Sequence, residues 1–145
     1  MPENPPQSFS SHRRYDPPFH FFILPVFALL VLAAIVHLFL RPGWHSAALL
    51  VVAAATLVLA FKVRLYSIKV QDRVIRLEER LRLATLIDPS LRARIPELTV
   101  SQLIALRFAS DAELPALATR ALNEKLSAAD IKKSIQTWRP DYWRV

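Results

Sequence analysis

Two apolar stretches, Pro17 to Leu40 and Ser46 to Phe61, contain no Asp, Glu, Lys or Arg and flank the short connection Arg41-Pro42-Gly43-Trp44-His45. A bilayer core about 30 Å thick needs roughly 20 apolar residues at about 1.5 Å each, and the first stretch meets this length. The second is shorter, but Lys62 and Arg64 at its end have side chains long enough to reach back to headgroups, and Trp44 and His45 extend it on the other side. The chain is therefore expected to begin with a transmembrane helical hairpin over residues 17–61, with spans at about 18–40 and 45–62 and a turn at 41–44, after an N-terminal tail of residues 1–16. A soluble buried hairpin is the alternative, yet a 145-residue chain has little other apolar material to cover both stretches on every side.

Cations set the orientation, because Lys and Arg are retained on the cytoplasmic side of short apolar segments. Arg13 and Arg14 precede the first stretch, Lys62, Arg64, Lys69 and Arg73 follow the second, and the loop between holds only Arg41. Both termini are expected in the cytoplasm, with Tyr15, Phe19, Phe21 and Phe22 at one bilayer boundary and Trp44 at the other. A cleaved signal peptide is the competing reading of the first stretch. That stretch is longer than a signal core, and no small-x-small site appears where cleavage would be expected. With no cysteine in the sequence, disulfides, thioether lipid anchors and thiolate metal sites are excluded together.

From His45 to Ile87 there is neither Gly nor Pro, so one helix of about 60 Å is expected to leave the membrane and continue as a cytoplasmic extension over residues 62–87. Wound at about 100° per residue, Val63, Val70, Val74, Leu77 and Leu81 form an apolar seam, interrupted by Ser67. Lys62, Lys69, Arg73, Arg76 and Arg80 form a basic stripe beside it. Asp72 with Arg76 and Glu78 with Arg82 have the spacing of helix-supporting ion pairs. An apolar row in water requires a cover; packing against the C-terminal helices is favoured here and homodimerisation comes second.

Asp88-Pro89 breaks the helix and opens a C-terminal module, residues 88–145. Thr99 with Gln102, Ser110 with Glu113, and Ser127 with Asp130 have the spacing of N-terminal capping boxes. Helices are expected at Pro89 to Arg94, Val100 to Ala109, Asp111 to Leu126 and Ala128 to Trp138, with Pro115 tolerated in a first turn or shifting that start by a few residues. Helices of about ten residues are marginal alone. Leu103, Ile104, Leu106, Phe108, Leu114, Leu117, Leu122, Leu126, Ile131 and Ile135 are the expected core. The aromatic tail around Trp138, Tyr142 and Trp143 is expected to fold back onto the module, with Trp143 as a possible anchor at a membrane or partner surface.

Gly43 is the only glycine, so no glycine-rich phosphate loop exists and no nucleotide cofactor is implied. His12, His20, His37 and His45 all precede the module, which leaves its serines without an imidazole base. Neither a metal nor a catalytic set is expected, and the reading is non-enzymatic. Net charge is +7, which raises nucleic acid as a partner. From Ile87 onward, however, nine basic residues face seven acidic ones, a balance of +2, whereas Lys62 to Leu86 holds seven basic and three acidic, a balance of +4. The positive field belongs to the membrane-proximal helix, so nucleic acid is the lesser alternative, resting on Lys132, Lys133 and Arg139.

The segment Ser11-His12-Arg13-Arg14-Tyr15, the run from Val70 to Arg82, the run from Leu103 to Pro115, and Ile131-Lys132-Lys133 with Trp138-Arg139-Pro140-Asp141 together resemble an uncharacterised family of small bacterial two-span membrane proteins. The likeness covers nearly the whole chain. It implies a bacterial inner-membrane protein of this layout and transfers no activity. The expected fold is all-α, a two-helix transmembrane hairpin whose second helix extends into the cytoplasm and packs with a small bundle. The expected role is an adaptor or accessory subunit. Its contacts to lipid, to a protein partner or to a second copy would be Lys62, Arg64, Lys69, Arg73, Arg76, Arg80 and Trp143, with no small-molecule substrate implied.

Overall fold

The computed structural model describes residues 7–11 and 16–142. The fold is all-α: among the described residues the single extended pairing is an isolated antiparallel bridge between Ala109 and Trp138. The chain divides into two compact units, one holding residues 16–69 and the other residues 7–11 and 70–142.

The first unit opens with a wide π-helical segment, Pro18–Ile23, which runs into α1, Leu24–Leu40. The Leu24 amide reaches back five residues to the Phe19 carbonyl, and Pro25, which has no N–H to donate, comes next. Asp16 closes the start: its backbone carbonyl accepts from the His20 amide at 3.0 Å and its carboxylate from the Phe19 amide at 3.4 Å. At the far end the Ser46 hydroxyl donates to the Arg41 carbonyl at 2.6 Å, which ties the turn to the next helix. That helix is α2, Trp44–Leu86, a single element of 43 residues with neither Gly nor Pro to interrupt it. Both apolar elements are long enough to cross a membrane, and only 6% of each apolar window is buried within the protein.

In the second unit α3 (Pro89–Arg92), a 3-10 turn (Ile95–Glu97), α4 (Val100–Leu106), α5 (Leu114–Asn123) and α6 (Ala128–Ser134) gather around one core with the end of α2. Leu83, Leu103, Leu106, Phe108, Leu114 and Ile131 are its largest fully buried side chains. Of the expected core, Leu122 and Leu126 are only partly buried and pack at its edge, and Ile104 is half-buried.

The side of α2 that enters this core differs from the expected one. Ile75, Glu79, Leu83 and Ile87, each four residues from the last, are buried, whereas Val70, Val74, Leu77 and Leu81 are half exposed or more. At about 100° per residue the centres of the two rows lie about 180° apart, so the module covers the face opposite the apolar seam. Glu79 explains the misreading. A carboxylate in the middle of the buried row removes its apolar periodicity, while the seam runs without a polar residue from Val70 to Leu81.

The module's helices are also shorter than expected: α3 ends at Arg92, α4 at Leu106, α5 at Asn123 and α6 at Ser134. The Ser110–Glu113 box does not form; α5 starts at Leu114 with Pro115 in its first turn. The Glu113 carboxylate instead accepts from the backbone amides of Gln136 at 3.1 Å and Thr137 at 2.8 Å. Those bonds stop α6 at Ser134 and turn the following residues into an extended segment, where the Ser110 amide donates to the Thr137 carbonyl and the Arg139 amide to the Phe108 carbonyl. The box at Thr99–Gln102 forms as spaced; at Ser127 only half of one does, the hydroxyl accepting from the Asp130 amide at 3.2 Å while donating to the Asp130 carboxylate at 2.6 Å.

Candidate functional site

The densest charged cluster lies where α2 meets the module. Glu79 is only 4% exposed, and Arg82, one turn on, places Nη1 at 3.1 Å from its carboxylate. Arg82 also donates from Nε to the Asp111 carboxylate at 2.7 Å and from Nη2 to the Ala109 carbonyl at 2.7 Å. One guanidinium thus joins α2 to the connection between α4 and α5, in place of the expected Glu78–Arg82 pair. Arg139 approaches Glu79 from the C-terminal segment at 3.7 Å.

Beside it Arg107, 5% exposed, lies 3.0 Å from the Asp141 carboxylate, with its guanidinium 4.3 Å from the centre of the Phe108 ring. Trp138 stacks at a tilt against the same ring at 5.1 Å. Gln7 completes the cluster. Its Nε2 donates to the Asp141 carbonyl at 3.0 Å and its Oε1 accepts from the Asp141 amide at 2.9 Å, which fixes the described part of the N-terminal tail to the C-terminal one.

Glu79, Arg82, Arg107, Arg139 and Asp141 line a cleft of about 650 Å³ together with Gln71, Val74, Ile75, Glu78 and Pro140. Burial pushes the Glu79 carboxyl above its usual range, against the opposing pull of Arg82 first and then of Arg139 and Arg107. Three acids and three arginines, drawn from three stretches of sequence, are engaged mainly with one another. Such a cluster holds elements in register, as buried charge networks do when their members are mutually satisfied. Sequence reasoning missed it, since only Arg82 with an acid a turn away carried a local signal.

The residues singled out for contact divide between the two units. In the first, Lys62 is exposed, Lys69 is exposed with its ammonium 5.9 Å from the Tyr66 ring, and Arg64 is drawn into an ion pair with Asp16 at 3.3 Å. Arg64 also lies 5.7 Å from the Phe19 ring, and Phe19 meets Phe61 edge-on. In the second unit Arg73 is exposed and Arg76 and Arg80 are half-buried. Trp143 lies outside the described residues. Of the cations raised for nucleic acid, Lys132 lies over the Phe108 ring at 5.7 Å, Arg139 faces Glu79 and Lys133 is exposed.

Fold and site together define a class: an all-α protein with two helices long and apolar enough to cross a membrane, and a helical module tied by a partly buried charge cluster. The chain belongs to the family of unknown function DUF6526, whose model matches residues 1–145. No curated protein and no solved structure matches the chain.

Proposed function

We propose that this is a non-enzymatic integral protein of a bacterial inner membrane, an adaptor or accessory subunit that presents its helical module on the cytoplasmic side to a protein partner or to anionic lipid. The observation that carries the reading is the outward-facing apolar surface of the first unit. Leu29, Leu32, Val36, Val51, Val52 and Leu59 are all exposed, and apolar surface of that extent needs a solvent other than water. Two further features support the orientation. The Asp16–Arg64 pair brings the start of the first span level with the end of the second, and the Gln7–Asp141 bonds keep the two tails together. Both favour termini on one side of the bilayer, the side that the cations of the second helix mark as cytoplasmic.

Lys62 and Lys69 follow the second span directly, where each cation near an anionic leaflet contributes about 1 kcal/mol. Arg73, Arg76 and Arg80 continue the stripe toward a partner. The test is reversal of Lys62, Lys69, Arg73, Arg76 and Arg80 to Glu. Recruitment of co-purifying proteins and flotation with anionic vesicles are expected to fall steeply at low salt; association unchanged in both assays contradicts the reading.

A further inference from the structure

We infer that the exposed apolar row of α2 is a parallel homodimer interface, filled by the same row of a second copy. The inference rests on the membrane reading above, because two copies inserted in one bilayer with the same orientation present their helices side by side and parallel. Val70, Val74, Leu77 and Leu81 alternate at spacings of four and three, the a/d repeat of a two-stranded coiled coil, and Val63 lies one heptad before Val70 in the sequence. All four are half exposed or more, and the module's core packs on the opposite face of the helix; Val74 borders the cleft and keeps half its surface free.

The flanks identify the occupant. With Val74 and Leu81 as a positions, Arg73 falls at g and Glu78 at e. In a parallel pair, g of one helix meets e of its partner five residues on, so Arg73 of each copy meets Glu78 of the other, a symmetric pair of opposite charges. Both side chains are exposed, and neither forms an ion pair with any described residue of its own chain. An antiparallel partner would lose this match, and the bilayer forbids it. Ser67, the polar interruption, donates its hydroxyl to the Val63 carbonyl of its own helix at 2.9 Å, so it brings no unpaired group to the seam. A row of under three heptads is short for a free coiled coil, but confinement in a shared membrane raises the effective concentration of the second copy.

Because the chain lacks cysteine, single thiols report the interface directly. Leu77→Cys, Val74→Cys, Lys69→Cys and Asp72→Cys would each be oxidised in native membranes and the disulfide-linked dimer quantified. Facing a/d positions of a parallel pair come within the Cα separation of about 5.5–6 Å that a disulfide prefers, and outward positions do not. The expected result is several-fold more dimer at Leu77 and Val74 than at Lys69 and Asp72. Arg73→Glu should reduce it, and adding Glu78→Arg should restore it. Equal or absent cross-linking at all four sites, with the protein still in the membrane pellet, overturns the dimer and leaves the membrane reading standing. Recovery of the unmodified chain in the soluble fraction overturns both.

Discussion

Asp16 and Arg64, 48 residues apart, meet at 3.3 Å and clamp the entry of the first apolar helix to the exit of the second. The pair is partly shielded and is supported by the Phe19 ring on the same guanidinium. Breaking it with Asp16→Asn or Arg64→Ala should cost about 1 kcal/mol, near the upper end for a pair that retains some solvent. Thermal melts in detergent check this, and the double variant should lose less than the sum of the two single losses.

Glu79 makes stability depend on pH in an uncommon direction. Its folded carboxyl titrates above the unfolded value of 4.5, so its contribution is fully present below about pH 4.5 and is lost as pH rises through the folded value. Glu79→Gln keeps the shape and removes the titration. The melting temperature of the variant relative to the parent should therefore rise between about pH 4.5 and pH 7. A difference that shrinks across that range contradicts the assignment.

Gln102 ties α4 to two other segments. Its Oε1 accepts from the Thr99 amide at 2.9 Å, and its Nε2 donates to the carbonyls of Leu126 at 3.0 Å and Ala121 at 3.3 Å. Gln102→Leu fills the same space but leaves those groups unmatched in a buried setting, at a cost of about 2–3 kcal/mol. The loss reads out as a lower melting temperature and as faster hydrogen exchange at the start of α4.

The capping box at Thr99–Gln102 was legible in the sequence because its whole logic lies within four residues. So were the hairpin and the unbroken second helix, which follow from length, apolarity and the absence of Gly and Pro. What was hidden had long-range causes. The second role of Gln102, reaching Ala121 and Leu126, has no local signature, and neither has Arg107 meeting Asp141. The face of α2 that docks the module was disguised because Glu79, in its centre, looks like a solvent residue until Arg82 and Arg139 are brought to it. Glu113 looked like half of a capping box, yet its carboxylate serves the amides of Gln136 and Thr137, on the far side of two helices.

Lys125 holds a left-handed backbone, φ 51°, just past the end of α5, where a side chain is strained. Lys125→Gly is expected to stabilise the module by up to about 1 kcal/mol, the strain relieved exceeding the entropy lost. Denaturant unfolding checks the sign, and a destabilised variant refutes it.

The proposed insertion requires lipid as the solvent for the apolar faces of α1 and the first part of α2. Single cysteines at Leu32 and Val52, both exposed on the protein alone, and at Ala112 on the module, test this by labelling with a water-borne maleimide in open membrane fragments. Ala112→Cys should label at once, whereas Leu32→Cys and Val52→Cys should label only after the membrane is dissolved in denaturing detergent. Equally rapid labelling at all three before detergent would contradict the account.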